Sequence, residues 1–342
     1  MTKTTLYNKL NRSEAEKLLL KEKFNRVVLS FYKYVIIKNP KKLRDDLFVN
    51  WTKLGVLGRT YLASEGINAQ VSVPEQNVKA FRSKIDCYPV FYNVPFNFGL
   101  EKGASSFYKL TIKVKSQIVS DGLANSEYDF TKSGERLSAE KWNKKINEGA
   151  IVVDMRNHYE SEIGHFEGAL LPTSETFKQE LPMVKSLLKG KEEKSILLYC
   201  TGGIRCEKAS SYLINNGFKN VGQLQGGIIS YVHQIKEKGL ENKFKGKNFV
   251  FDDRIGEKVT DEIISNCHQC EKPCNNHTNC ANLQCNLLFL QCEACKTKNL
   301  NCCSPSCINF LSRPKKEQKK LRINKKIFHN HKKVDLSLKF KS

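Results

Sequence analysis

Apolar and polar positions alternate in a way that divides the chain into recognisable segments. Residues 26–37 (RVVLSFYKYVII) are β-branched and aromatic and predict a strand. Leu43, Leu47 and Trp51 then recur at helical spacing through Lys41–Lys53. Gly58–Ala63 and Ile67–Val73 predict two strands joined through the turn residues Ser64, Glu65 and Gly66. Pro74 is expected to open a helix that buries Val78, Phe81 and Ile85, and Phe107–Val114 alternates as a last strand. The order βαββαβ predicts a ferredoxin-like sandwich with both helices on one face of the sheet. Upstream, Ser13 with Glu16 reads as a capping box for a short helix.

The second half changes rhythm. Ser138 predicts an N-cap for a helix through Asn147, stopped by Gly149. Ala150–Asp154, Ser195–Tyr199 and Val221–Leu224 are short and continuously apolar, as buried parallel strands are. Helices are expected at Ile204–Asn216 and from Gly226–Gly227 onward, which gives an α/β domain with a mostly parallel sheet. The resulting layout is an N-terminal helix (1–24), a ferredoxin-like domain (25–115), a linker (116–137), the α/β domain (138–240), a cysteine-rich segment (241–310) and a basic tail (311–342). A hairpin strand is expected at Asn248–Phe251, and Leu287–Leu290 is expected to seat the cysteine-rich segment on the α/β domain.

Charge adds a partner. The 342 residues carry 57 Lys and Arg against 35 Asp and Glu, a net charge of +22. That excess points to a polyanion, and the twelve basic residues from Arg313 onward read either as a phosphate-tracking arm or as a solvated terminus. The chain has no apolar run long enough to span a membrane and no secretory leader pattern, so a cytoplasmic, reducing setting and no membrane partner are expected. In that setting thirteen cysteines indicate metal or redox chemistry rather than a disulfide framework.

The most informative segment is Cys200-Thr201-Gly202-Gly203-Ile204-Arg205, between a buried strand and a helix. Backbone N–H groups and a helix N-terminus converging on the sulfur favour the thiolate, the reactive form. Gly202 and Gly203 permit the tight bend, and Arg205 adds positive charge. The spacing Cys-x4-Arg is one residue shorter than a phosphatase loop, so it suits a sulfur or oxygen species on the cysteine better than a phosphate. Cys206 has two readings: a resolving thiol for an oxidised or persulfidated Cys200, or a small side chain packing the helix.

Ten further cysteines fall between Cys267 and Cys307, and Cys87 stands alone. The pairs Cys267/Cys270 and Cys292/Cys295 have the spacing of two zinc knuckles, with His268 and His277 as alternates, and the ten cysteines suffice for two ions with two to spare. An iron–sulfur cluster or a reduced thiol cluster are the competing readings.

The loop, with Val152–Arg156, Glu160, Gly164–Ala169 and Val221–Tyr231 around it, resembles a rhodanese domain. The string Tyr199–Ala209, a preceding acylphosphatase-like domain and the trailing cysteines together resemble the rhodanese-related tRNA uridine(34) hydroxylases over about residues 25–310. The resemblance implies an oxidoreductase that converts the wobble uridine of tRNA to 5-hydroxyuridine, with molecular oxygen as co-substrate and the anticodon stem-loop, not DNA, as partner. It implies a persulfide-forming Cys200, with Asp154, Arg156, Glu160 and His165 at the rim of the site or ordering the fold. There is no Gly-rich dinucleotide fingerprint, so no nucleotide cofactor is expected. Trp51, Phe91, Tyr92 and Phe96 are read either as base-stacking residues or as core. A sulfurtransferase relaying persulfide sulfur is the alternative.

Overall fold

A computed structural model describes residues 6–8, 10–101, 106–123, 127, 129 and 132–322. Helix α1 (Arg12–Leu19) starts two residues earlier than expected: Asn11 caps it in a reciprocal box with Glu14, not Ser13 with Glu16. The first domain comprises β1 (Arg26–Tyr34), α2 (Pro40–Lys53), β2 (Leu57–Ala63), β3 (Gly66–Pro74), α3 (Val78–Asp86), β4 (Asn97–Phe98) and β5 (Leu110–Val114). Its sheet runs β4-β1-β3-β2-β5. Strand β3 is antiparallel to both β1 and β2.

Two details depart from the sequence reading. Pro74 ends β3, and α3 begins at Val78 after a single 3-10 turn. The strand beside β1 is the short Asn97–Phe98. Leu110–Val114 instead occupies the far edge, parallel to β2. A two-residue strand has too little pattern to be seen in a sequence, so the longer one takes its place in the count.

Period-two alternation sorts this sheet's faces. Leu29, Phe31, Ala69 and Val71 turn toward α2 and α3, where Leu47, Trp51, Phe81 and Ile85 complete a core. Trp51 and Phe81 meet edge to face at 5.2 Å. The intervening residues Ser30, Tyr32, Asn68 and Gln70 take the other face, away from the helices.

The α/β domain comprises β6 (Glu135–Leu137), α4 (Ala139–Asn147), β7 (Ile151–Asp154), α5 (His158–Ser161), β8 (Gly164–Phe166), α6 (Phe177–Leu187), β9 (Ser195–Tyr199), α7 (Ile204–Asn215), β10 (Asn220–Leu224) and α8 (Gly227–Lys238). The order β6-β10-β9-β7 is parallel throughout. Apolar clusters cover both faces, as a wholly parallel sheet requires. The expected linker ends inside this sheet, because Glu135–Leu137 supplies an edge strand.

The preceding stretch is also built in. Ile118 and Asp121 are buried. Lys208 of α7, itself buried, makes an ion pair with Asp121 and another, 3.0 Å long, with Glu65 of the β2–β3 turn. Glu65 also accepts from the Ile118 N–H at 2.6 Å. Next to it, Glu207 accepts from Arg136 and from the Tyr32 hydroxyl. Buried charges are tolerated only when paired, so this network fixes the first sheet against α7.

Beyond α8, β11 (Phe244–Phe249) pairs antiparallel with β8 and with β12 (Gly256–Lys258). The cysteine-rich segment holds the hairpin β13 (His277–Asn279) and β14 (Leu288–Leu290), then α9 (Glu293–Lys298), α10 (Pro305–Leu311) and α11 (Lys315–Arg322). Leu288 and Leu290 bury themselves against Tyr159, Ile163 and Phe249, which seats the segment on the α/β domain. Most of the basic tail, 323–342, lies outside the described residues. Among the described residues no helix is long and apolar enough to cross a membrane.

Candidate active site

Cys200 stands where β9 gives way to α7 and is fully buried. The loop curls so that the Gly203 N–H donates to Cys200 Sγ at 3.1 Å. Gly203 makes the bend at φ +95°, a left-handed conformation, and a Cβ there would stand 2.9 Å from the Tyr32 hydroxyl. Burial pushes the Cys200 thiol up, but the Cys206 thiol, the Arg205 charge and backbone N–H groups of α7 together bring it down to about 6. Near neutral pH it is therefore a thiolate at the start of a helix.

Cys206 is the opposite case. Burial and the neighbouring Cys200 sulfur hold it well above its ordinary range, so it remains a thiol and donates to Cys200. It also packs in the core between α7 and the sheet. The packing reading of Cys206 matches this placement.

Arg205 is held by a carboxylate partner. Its guanidinium forms a two-pronged pair with Glu160 of α5, at 2.6 and 2.8 Å. Glu180 of α6 is also buried, and burial raises its carboxyl well above the ordinary range against the opposing influence of the Arg205 charge. Asp154 and Arg156 form a second buried pair at 2.7 Å. The Tyr199 hydroxyl donates to Asp154 at 2.6 Å, and Arg156 donates to the Gly164 carbonyl. That pair ties β9 to the start of β8. His165 lies on β8, hydrogen-bonded through Nδ1 to the Ser161 carbonyl at 2.8 Å, away from the sulfur's surroundings.

Gly226 and Gly227 contribute more than the start of a helix. The N–H groups of Ile228 and Ile229 donate to the carbonyls of Cys200 and Thr201 at 3.0 and 3.2 Å. Gly227 has φ +64°, and a Cβ on it would fall 2.4 Å from the Cys200 carbonyl oxygen. The Gly-Gly pair is the sequence signal for this close approach.

A cavity of about 350 Å³ opens over the sulfur. Cys200, Thr201, Gly202, Ile204 and Arg205 form its floor. Its roof is the helix-free face of the first sheet, with Ser30, Tyr32, Arg59, Tyr61, Asn68 and Gln70. Phe177, Val250 and Phe251 supply apolar walls. Asn97 of β4 links roof to floor by donating to the Gly202 carbonyl at 3.3 Å. The sequence reading missed the polar roof residues, although the polar alternation of β3 was visible. The aromatic residues weighed for base stacking lie elsewhere: Trp51 and Phe91 are core, Phe96 packs against Phe31 and Arg82, and Tyr92 is exposed.

The cysteine-rich segment forms two four-sulfur groups, Cys267/Cys270/Cys292/Cys295 and Cys280/Cys285/Cys303/Cys307. The first is the expected pair of knuckles. Neither histidine joins them: His268 turns to Glu162 at 2.6 Å, and His277 packs edge-on against Phe249.

A parallel sheet delivering a cysteine to a six-residue loop, under a second sheet that roofs the sulfur, defines a rhodanese-type protein with an appended acylphosphatase-like domain. Family models agree in three blocks: a UPF0176 acylphosphatase like domain over residues 26–118, a rhodanese-like domain over 138–234 and a rhodanase C-terminal domain over 245–308. The chain is 51% identical to a tRNA uridine(34) hydroxylase of Leptospira interrogans over 324 residues, covering 94% of this chain and 88% of that one. It is 45% identical to proteins of the same name from Photorhabdus laumondii (94% and 92% covered) and Yersinia enterocolitica (96% and 95% covered). Among solved structures, the rhodanese-like domain of an Anabaena protein is similar at 18% identity, covering 32% of this chain and 78% of that one, with a TM-score of 0.26. The chain belongs to the tRNA uridine(34) hydroxylase family.

Proposed function

We propose that this protein is an oxidoreductase that hydroxylates the wobble uridine, position 34, of tRNA to 5-hydroxyuridine in the cytoplasm, with Cys200 as the reacting group and molecular oxygen as co-substrate. The observation that carries the reading is a thiolate at the floor of a base-sized cavity with a polar roof. Anticodon bases unstack readily and can be presented singly to such a pocket. The amides of Asn68 and Gln70 suit the alternating acceptor and donor edge of uracil, while Phe177 and Phe251 suit its faces.

In this reading the Cys200 thiolate adds to C6 of the uracil ring, and the displaced electron pair settles on O4 as an enolate. C5 then becomes nucleophilic and adds to molecular oxygen to give a C5 hydroperoxide, whose O–O bond is cleaved by an external dithiol; the dithiol is oxidised to a disulfide, one oxygen stays on C5 as hydroxyl and the other leaves as water. Loss of the C5 proton and departure of the sulfur restore the ring. The Cys206 thiol and the loop N–H groups stabilise the departing thiolate. Thr201, Gly202, Gly203 and Ile204 shape the cradle, and Glu160 positions it through Arg205. Asp154, Arg156 and His165 order the fold around it.

The basic surface, net +22, and the basic tail are assigned to the anticodon stem-loop backbone. Cys267, Cys270, Cys292 and Cys295 are assigned to a zinc ion, a reading supported by the 3.6 Å separation of Cys270 and Cys292 sulfurs.

Nucleoside mass spectrometry of tRNA from cells lacking the gene, and lacking any other hydroxylation route, tests the function. Disappearance of 5-hydroxyuridine derivatives is expected. Loss of a thiolated base instead, together with thiosulfate-dependent turnover without RNA, would establish a sulfurtransferase and overturn the reading.

A further inference from the structure

We infer that Cys280, Cys285, Cys303 and Cys307 form a second, closed zinc site, distinct from the pair of knuckles formed by Cys267, Cys270, Cys292 and Cys295. No C-x2-C pair marks it; it is assembled from a turn and a helix start.

Distances carry the argument. Four sulfurs each about 2.3 Å from one ion must stand about 3.8 Å from one another in a tetrahedron. Cys285 and Cys303 sulfurs are 3.5 Å apart, those of Cys303 and Cys307 are 3.8 Å apart, and all four lie within 4.8 Å of each other. A disulfide would join two sulfurs and leave the other pair unexplained, whereas here all four gather within 4.8 Å of one another.

Each ligand is held by local structure. Cys280 follows β13, and its N–H donates to the Leu287 carbonyl at 2.8 Å. Asn282 turns the chain so that Cys285 comes back beneath it, its N–H bonding the Asn282 carbonyl at 2.9 Å. Ser304 caps α10, which places Cys303 just before the helix and Cys307 in its first turn. The Asn282 amide donates to Cys307 Sγ at 3.4 Å, the kind of contact a metal-bound thiolate accepts.

The surroundings separate a structural role from a catalytic one. Cys280, Cys303 and Cys307 are buried in a small cluster with Leu287 and Phe289, against which the half-buried Ile308 and Leu311 pack. So small a core does not hold a segment together, and four soft sulfur ligands with no open position select zinc in a closed site. The two groups are also coupled. The buried Gln269, between Cys267 and Cys270, donates to the Cys302 carbonyl beside Cys303 at 2.9 Å. Gln291 and Asn299 both donate to the Gln269 side-chain carbonyl. Cys274 and Cys302 are left outside both groups.

The test is metal content of the full chain purified under reducing conditions. Two equivalents of zinc are expected, falling to one in C307S and, separately, to one in C270S. Should C307S fail to fold, cobalt substitution of the wild-type chain decides: tetrahedral cobalt–thiolate absorption is expected to saturate at two equivalents, and alkylation mapped by mass spectrometry should reach Cys280, Cys285, Cys303 and Cys307 only after chelation. A wild-type chain that saturates at one equivalent, or in which these four thiols alkylate without chelation, overturns the second site. Iron with acid-labile sulfide in place of zinc would equally overturn it.

Discussion

Arg205 and Glu160 meet through two parallel hydrogen bonds, 2.6 and 2.8 Å long, and this pair couples the cysteine loop to α5. Both side chains are buried, so neither tolerates loss of the other. Removing the carboxylate in Glu160→Ala is expected to cost about 3–5 kcal/mol of stability by stranding a buried guanidinium. Urea unfolding of the two proteins checks this, and a cost below about 1 kcal/mol, the range of an exposed pair, would show that solvent reaches the pair.

The ionisation of Cys200 has a definite sign. Its value in the fold, about 6, lies below the ordinary 9.0, so the folded protein favours the thiolate. The stability this lends is present at pH above the ordinary value and is lost as pH falls through about 6. Alkylation of Cys200 by a small neutral reagent is accordingly expected to rise through pH 6 and level off by neutrality. Cys206, held up by burial and by its neighbour, should alkylate only at much higher pH.

Lys208 is the buried hinge pin between the two domains, paired with Glu65 and Asp121. Lys208→Met would leave two carboxylates without their cation, a loss of about 3–5 kcal/mol. Differential scanning calorimetry should show the first domain melting separately from the α/β domain in this variant. A single unaltered transition would mean that apolar contacts alone hold the domains together.

Gln70 faces the cavity from β3, on the sheet that roofs the Cys200 loop. Gln70→Leu is expected to lower kcat/KM for tRNA about tenfold, the value of roughly one to two hydrogen bonds, while the pH profile of Cys200 alkylation stays unchanged. A parallel loss of thiol reactivity would place Gln70 in maintaining the loop rather than reading the base.

Much of this was legible in the residues. The run Cys200–Arg205 between an apolar strand and a helix announced its geometry, because a strand, a Gly-rich bend and a helix start leave few alternatives. The knuckle spacing of Cys267/Cys270 and Cys292/Cys295 was equally plain. What escaped were relationships between distant segments. Nothing local links Glu65, Asp121 and Lys208, so residues 116–123 looked like a connector although Asp121 is buried. Nor does any spacing link Cys280 and Cys285 with Cys303 and Cys307, which only folding brings together. Arg205 looked like an anion contact because its partner, Glu160, lies 45 residues away in the chain.

The most direct test restores the gene to cells that lack 5-hydroxyuridine in their tRNA, once as wild type and once as Cys200→Ser. With both proteins soluble and equally abundant, wild type is expected to return the modified nucleoside at position 34, and Cys200→Ser to return none. Full recovery with Cys200→Ser would contradict a reaction centred on this sulfur.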